Sequence, residues 1–306
     1  VVKGGELMSA HRIKRTRFDL VFDIVVTTLL ILGCLCVLYP LYFVVIASVS
    51  DPTAVTSGEA LLYPVGLNFK SYNMIFQDRR IWSGYGNTIF YTFFGTLFGL
   101  IITIPSGYAL SRRDFAGRGL ILKLMVFTMY FQGGLIPTYL VVQGLNLINT
   151  RYVLIIIGSF TVFNLIISRT FFESTIPVEL QEAADIDGCS TPRFFFSIVL
   201  PLSKAIVAVI ALYYAVGHWN SFFNALIYVS DEKLYPLQLI LRDILISSQT
   251  LAADGMSDPE TIREMETIAF SIKYGIIIVA SVPVLILYPF LQKYFVKGVM
   301  IGSIKG

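Results

Sequence analysis

The residue types that carry out most enzyme chemistry are scarce in this chain of 306 residues. It has two histidines, His11 and His218, and three cysteines, and their spacing does not match that of zinc ligands. No G-x-x-x-x-G-K-[ST] phosphate-binding loop occurs, and no histidine is matched with a recognisable nucleophile. We therefore expect no catalytic residue, no metal site and no cofactor held by this chain.

The most informative polar stretch is QEAADIDGCSTPRFF, residues 181–195, which lies between two strongly apolar segments. Pro177 suits the first turn of a helix, because its missing N–H would be unpaired there. Glu179 and Glu182 then fall early in this helix, where the helix dipole favours negative charge. Gly188 suits the end of the helix, because glycine accepts the left-handed conformation. The pattern predicts a short capped helix.

A second short helix is predicted directly after it. Ser190 or Thr191 would be its N-cap and Pro192 its first residue. Leu200 and Pro201 would close the unit before the next apolar segment.

Two interpretations of this helix–glycine–helix unit are open. Ala183 and Ala184 are small enough to let the backbone of another protein approach, which favours a docking element. The alternative is an ordinary loop whose caps serve local stability.

The elements that must position this unit are membrane-spanning helices. The chain is 56% hydrophobic and 14% charged, with a mean hydropathy of +0.74, whereas soluble domains carry roughly 25% charged residues. A spanning helix needs about 20 apolar residues. The sequence therefore predicts an all-α integral membrane protein with six transmembrane helices, at 20–48, 87–110, 121–142, 152–172, 204–229 and 270–292.

The distribution of positive charge predicts the orientation. With both termini inside, cytoplasmic segments hold the larger share of the 23 lysines and arginines, as the positive-inside rule requires. The predicted organisation is a cytoplasmic segment 1–19, a transmembrane domain 20–292 and a cytoplasmic tail 293–306, with the polar segment 174–203 also in the cytoplasm.

Two outer segments, 50–86 and 230–269, are too long for structureless loops and are expected to contain short helices. Within the first, NFKSYNMIFQD places Phe69, Tyr72, Ile75 and Phe76 close to one helix face. This helix could lie at the outer membrane surface or fold over the helix bundle.

The sequence EAADIDGCSTPRFFFSIVLPL closely resembles the EAA motif of ABC-importer permeases. The resemblance implies a type I importer fold, in which this segment is the coupling helix that seats in a cleft of an ATPase subunit. The residues that match the motif are Glu182, Ala183, Ala184, Asp187, Gly188, Leu200 and Pro201.

The resemblance covers essentially the whole chain. HWNSFFNALIYVSDEKLYPLQLIL and YPFLQKYFVKGVMIGSIKG resemble permeases of the maltose-importer type, the latter their second permease subunit. SDPTAVTSGEALLYPVGLNF and YFQGGLIPTYLVVQGLNLINTRYVLI resemble a branch for complex oligosaccharides, including uronate- and rhamnose-containing ones. The implied contact between the C-terminal tail and the ATPase dimer involves Gly302, Ser303, Lys305 and Gly306.

The partners implied by the resemblance are a second, different permease, an extracytoplasmic sugar-binding protein and two ATPase copies that bind ATP and Mg. The implied location is the bacterial cytoplasmic membrane, and the implied substrate is an oligosaccharide. No nucleic-acid partner is implied. A stand-alone secondary carrier is the alternative, although intramembrane charge is sparse for proton or sodium coupling.

Sugar sites combine aromatic rings with amides and hydroxyls. Tyr213, Asn220 and Asn224 are spaced 7 and 4 residues apart, which places them on one helix face. Membrane-interface anchoring, bonds between helices and sugar contacts supplied by the partner permease remain alternatives for every candidate. The candidates for the substrate path are Tyr130, Gln132, Asn164, Tyr213, His218, Trp219, Asn220 and Asn224.

GGLIP, residues 133–137, is expected to break the third span. Irregular backbone at membrane depth survives where protein or a water-filled cavity satisfies its polar groups. The break would flank the translocation path or form a simple kink.

Overall fold

The structure is a computed structural model that describes residues 16–253, 267, 269–286 and 289. Across these residues the secondary structure is helical, with no strand, which confirms the predicted all-α class. Short π and 3₁₀ segments, Phe195–Val199 and Glu232–Leu234, interrupt the α-helices. The α-helices are α1 Arg17–Val49, α2 Pro52–Thr56, α3 Lys70–Gln77, α4 Arg79–Ser111, α5 Arg118–Tyr130, α6 Leu135–Gly144, α7 Arg151–Ile156, α8 Val162–Thr175, α9 Val178–Ile186, α10 Thr191–Phe194, α11 Leu200–Leu202, α12 Lys204–Trp219, α13 Phe223–Tyr228, α14 Leu237–Ala253 and α15 Ala269–Ile286.

The chain divides into two compact units, 1–68 and 69–306. In the first, a capping box starts α1: the Thr16 N–H donates to the Asp19 carboxylate (2.8 Å), and the Asp19 N–H donates to the Thr16 hydroxyl (3.2 Å). The side chains of α1 are apolar and exposed over most of its length, as expected for a helix in lipid or against another subunit.

Helix α4 is the centre of the second unit and packs against α7, α8, α12 and α14. Glycines allow the closest approaches. A Cβ added at Gly95 would collide with the imidazole ring of His218, and one at Gly107 would lie 2.7 Å from Cβ of Ser168. Both positions therefore require glycine for α12 and α8 to reach α4.

Polar side chains of α4 fix the turn before α14. The Asn87 amide donates to the carbonyl oxygens of Lys233 (2.8 Å) and Tyr235 (3.0 Å). The Leu237 N–H donates to the buried Thr88 hydroxyl at 2.7 Å. The third bond satisfies an N–H at the start of α14 that has no partner within the helix, and the first two hold the turn that precedes it.

Three helices are long and apolar enough to cross a membrane, α1, α4 and α15, among the residues that the structure describes. They correspond to the predicted first, second and sixth spans. Two further crossings arise if each bent helix pair counts as one span: α5 with α6, and Thr191–Leu202 with α12.

The predicted break in the third span is confirmed. Helix α5 ends at Tyr130, α6 begins at Leu135, and their axes differ by 114°. Gly134 has a φ of 84°, in the left-handed region that glycine favours. A bend of this size is a change of direction rather than the simple kink of a continuous helix.

The predicted fourth and fifth segments are not continuous helices. Helices α7 and α8 are separated by a connection that contains Gly158, whose φ is 92°. The fifth segment ends as α12 at Trp219 and resumes as α13 at Phe223. The intervening asparagine and serine favour caps and turns over helix interiors, which explains the second interruption.

Both long segments between spans contain helices, as predicted. The first holds α2 and α3, and the second holds α14, which has 17 residues and is longer than expected. In α3, Ile75 is buried against Ile81 and Leu237, whereas Phe69 is exposed. Tyr72 packs against the same cluster, so helix α3 is anchored on the bundle through two of its predicted apolar side chains, Tyr72 and Ile75.

Candidate functional site

Helix α9 forms where the sequence predicts it and ends as predicted at Gly188. Pro177 is its N-cap rather than a residue of its first turn. Gly188 has a φ of 69°, its N–H donates to Asp185 O (3.1 Å), and the Cys189 N–H donates to Ala184 O (2.9 Å). These two bonds form a Schellman motif, which satisfies the last carbonyls of the helix.

The second predicted helix is longer than expected. Ser190 is its N-cap, Thr191 its first residue, and Pro192 its second rather than its first. The helical run continues to Leu202 instead of closing at Pro201, and at Ser203 the chain bends by 81° into α12.

A π-helical turn explains how Pro201 is tolerated inside this run. The Leu200 N–H donates to Phe195 O, five residues earlier. Proline lacks an N–H, and its ring collides with the carbonyl four residues before it in a regular α-helix. The wider π turn relieves this conflict.

One face of α9 is fixed to the bundle by aromatic side chains. Ala184 is buried in a cluster with Tyr108 of α4, Phe172 of α8 and Phe195 of the π-helix. The ring of Tyr108 lies 5.8 Å from that of Phe172 and 5.2 Å from that of Phe195, centre to centre. Because such packing is dense, a displacement of α9 must move these rings as well.

The other face of α9 is open. Glu182, Ala183 and Asp187 are exposed, and the side chain of Ile186 is 87% exposed. Ala183 and Ile186 are three residues apart and share a helix face. This face offers a small residue, a large apolar residue and carboxylates to another protein.

An ion-pair network joins the end of α8 to α4 and α5. The Glu173 carboxylate contacts Arg169 at 2.7 Å and Arg118 at 3.8 Å. The same arginines donate to carbonyls at the end of α4: Arg169 to Leu110 O (3.4 Å), and Arg118 to Ser111 O (3.4 Å). Helix C-terminal carbonyls lack helical partners and attract positive charge.

A cavity of about 240 Å³ separates α9 from the loop after α4. Its lining includes Glu173, Gln181, Glu182 and the pair formed by Arg112 and Asp114, in which the nitrogen and oxygen are 2.6 Å apart. The hydrogen bonds from Arg112 hold the pKa of the Asp114 carboxyl below its usual value and raise the pKa of Arg112. The loop therefore presents a fixed ion pair to the cavity.

The predicted path residues do not share one environment. Tyr130 and Gln132 are exposed at the break between α5 and α6. Asn164 is buried near the first turn of α8.

The candidates on α12 are bonded within the helix bundle or within their own helix. Nε2 of the buried His218 lies 3.4 Å from Oγ of Ser159. The Trp219 indole donates to Ala280 O of α15 (3.1 Å), and the Asn220 amide donates to Val216 O one turn earlier (3.0 Å). Tyr213 is 43% exposed. Of the alternatives given for Trp219, the structure shows the hydrogen bond between helices.

The expected common face of Tyr213, Asn220 and Asn224 is wrong. Helix α12 ends at Trp219, Asn220 is its C-cap, and Asn224 lies on the separate helix α13. The rule for residues three and four apart applies only within a continuous helix.

Sequence reasoning missed the network around Glu173. The spacing of Arg169 and Glu173, four residues apart on one helix, is a signal that could have identified this pair. Nothing local indicates Arg118, which is distant in sequence.

The predicted tail residues Gly302, Ser303, Lys305 and Gly306 lie outside the described residues. Within the described part, no group of three or more His, Cys, Asp or Glu side chains could hold a metal ion.

Known proteins similar to this chain are transport proteins. Protein LplC of Bacillus subtilis (strain 168) is 39% identical over 298 residues, covering 97% of this chain and 99% of the relative. The polygalacturonan/rhamnogalacturonan transport system permease protein YtcP of the same organism is 38% identical over 291 residues, covering 93% and 98%. No protein-family model matches the chain.

A solved structure supports the same relationship. It is the crystal structure of a bacterial ABC transporter involved in the import of the acidic polysaccharide alginate. One of its chains superposes with a TM-score of 0.78 at 34% identity, covering 92% of this chain and 99% of that chain.

The apolar helices and the helical fold define an integral membrane protein of the transport class. The chain belongs to the permease subunits of bacterial ABC importers that carry oligosaccharides. It is therefore a transport subunit of the cytoplasmic membrane. Its relatives are transport permeases rather than catalytic enzymes, and the stand-alone carrier is not supported.

Proposed function

We propose that this chain imports an acidic oligosaccharide and that α9 couples this transport to ATP hydrolysis by partner subunits. The observation that carries the proposal is the two-sided setting of this helix. Ala184 is buried among aromatic rings of the bundle, while Ala183 and Ile186 are exposed on the other side. A helix in this position can be moved by a partner protein and can transmit that movement to α4 and α8.

The proposed topology has six crossings, with both termini and α9 in the cytoplasm. Helices α1, α4 and α15 are three of the crossings. The broken pairs α5–α6, α7–α8 and α12–α13 supply the others, since broken helices at membrane depth are tolerated where protein or a cavity covers their backbone. The excess of lysine and arginine on the proposed inner side supports this arrangement.

The proposed partners are those of a maltose-type importer: a different second permease, an extracytoplasmic binding protein and two ATPase copies. ATP and Mg bind to the ATPases. The binding protein delivers the sugar at the Arg79 end of α4, and closure of the ATPase dimer moves α9. The C-terminal tail, with Gly302, Ser303, Lys305 and Gly306, extends the contact with the ATPases.

An acidic substrate is proposed from two similarities and one side chain. The printed description of one relative names polygalacturonan, and that of the solved structure names the acidic polysaccharide alginate. In this chain Arg151 is exposed, with its guanidinium carbon 5.4 Å from the centre of the Phe90 ring. Arg80, by contrast, is engaged by Asp78 at 2.8 Å. Arg151 is therefore the better placed of these two arginines to attract a uronate.

The deciding experiment uses the assembled complex in liposomes together with its binding protein. ATPase activity and sugar uptake are measured with matched panels of uronate-containing and neutral oligosaccharides. We expect uronate-containing sugars to stimulate both activities. Stimulation by neutral sugars alone would overturn the acidic substrate, and uptake by this chain without ATPase partners would overturn the coupling.

A further inference from the structure

We infer that Glu173 is a positioning residue for energy coupling. Held by Arg169 and Arg118, it fixes the end of α8 so that a movement of α9 reaches α4 and α5 instead of being absorbed at the junction. This inference rests on the proposed function of α9.

The connection between α8 and α9 is very short. Helix α8 ends at Thr175 and α9 begins at Val178, so only Ile176 and Pro177 lie between them. Proline fixes its own φ and restricts the residue before it. Glu173 lies within the last turn of α8, and whatever restrains its carboxylate therefore restrains the base of α9.

The carboxylate of Glu173 restrains three helices together. Its two oxygens contact different arginines, Arg169 on α8 and Arg118 at the start of α5. Both arginines are also bonded to backbone carbonyls at the end of α4. Removing the carboxylate would leave two positive charges close together without their shared partner.

The network is sufficiently buried to act as a unit. The side chains of Arg169, Arg118 and Glu173 are 23%, 30% and 33% exposed. Fully exposed ion pairs contribute little, but half-buried pairs that share backbone bonds are screened less by solvent. These exposures favour a restraint that persists during movement of α9.

The surroundings of Glu173 differ on its two sides. Toward the bundle, α4 and α8 approach closely where Gly107 meets Ser168. Toward α9, the cavity of about 240 Å³ leaves space beside Gln181 and Glu182. Glu173 thus lies between a rigid helix pair and a helix with room to turn.

The test uses the complete complex in liposomes with Glu173→Gln, which keeps the size of the side chain and removes its charge. We expect normal assembly and about tenfold less sugar transported per ATP hydrolysed, a typical coupling effect. Arg169→Gln should give a similar loss, and the double variant should lose no more than either single variant. A purely structural role would instead lower the amount of complex and leave this ratio unchanged.

Arg242→Gln is the matched control. It removes a partly exposed arginine ion pair on α14 and should leave transport per ATP within about twofold of the unmodified complex. If Glu173→Gln does not assemble, Arg118→Gln decides the question, because it leaves the shorter, 2.7 Å contact between Glu173 and Arg169 in place.

Two results would overturn the inference: an unchanged ratio of transport to ATP hydrolysis in Glu173→Gln, or fully additive losses in the double variant.

Gly188→Val, measured in parallel, separates the two proposals. If it uncouples transport while Glu173→Gln does not, the coupling role of α9 stands and the role of Glu173 fails. If neither variant uncouples, the coupling function fails as well.

Discussion

The Tyr85 hydroxyl donates a 2.8 Å hydrogen bond to the Val279 carbonyl, the group that Pro283 leaves without a helical partner. Tyr85 belongs to α4, whereas Val279 and Pro283 belong to α15. One residue further, the Trp219 indole of α12 donates to Ala280 O at 3.1 Å. Two neighbouring helices therefore supply donors where proline interrupts the hydrogen bonding of α15, as is typical of prolines in membrane helices.

Tyr85→Phe should lower the stability of the complex by about 1 kcal/mol, the usual size of a hydrogen bond between membrane helices. The variant removes one hydroxyl and leaves the contact between the rings of residue 85 and Trp219, whose centres are 6.4 Å apart. Thermal unfolding of the purified complex in detergent measures the loss.

Pro283→Ala is the control for this explanation. An alanine N–H can bond Val279 O within α15, so Tyr85→Phe should have a smaller effect in the Pro283→Ala background. An equal loss in both backgrounds would show that the hydroxyl does not compensate for the proline.

Gly188→Val should uncouple sugar uptake from ATP hydrolysis while the complex still assembles. Gly188 has a φ of 69°, and a side chain in this region costs about 1–2 kcal/mol, which a β-branched valine cannot avoid. The Schellman bonds that end α9 would be disturbed. Uptake and ATPase activity are measured on the same liposomes.

Gly188→Asn is the control, because asparagine tolerates the left-handed conformation. It should remain close to the unmodified complex in transport per ATP. Normal sugar uptake by Gly188→Val would argue against a coupling role of α9.

Ile186→Glu should weaken ATPase binding about tenfold, as expected when a central apolar contact of an interface is lost. Ile186 is 87% exposed, so the permease itself should fold normally. Co-purification of the ATPase with the tagged permease measures the effect. Leu145→Glu, at a residue that is 64% exposed beyond α6, makes the same change far from α9 along the chain and should leave ATPase binding intact.

Arg151→Gln should reduce stimulation by uronate-containing oligosaccharides about two- to fivefold, the range of an exposed charge interaction. Stimulation by a neutral oligosaccharide should not change. The readout is the half-maximal concentration of the sugar-loaded binding protein in the ATPase assay. Arg80→Gln should have a smaller effect, because Asp78 engages that arginine, and equal losses with acidic and neutral sugars would exclude charge recognition by Arg151.

Local signals in the sequence were sufficient for α9. Its start near Pro177 and its end at Gly188 depend on capping, which acts over a few residues, and the structure has both. The stretch GGLIP also predicted a break, which falls at residues 131–134 between α5 and α6, where Gly134 has a positive φ. Apolar composition and apolar runs of about 20 residues predicted an all-helical membrane protein, because a bilayer requires internally bonded backbone and runs of this length suit spanning helices.

The tertiary structure decided which distant groups meet. From the sequence, Trp219 is a candidate for sugar stacking. Its hydrogen bond to the Ala280 carbonyl is seen only in the folded structure, where α15 lies beside α12. Likewise, the sequence could suggest a bond between Arg169 and Glu173, yet Arg118 joins them only because α5 begins beside the end of α8. Composition and caps determine the helices and their ends, since these depend on neighbouring residues. The partners of a polar side chain depend on how helices pack, which residues far apart in sequence determine together.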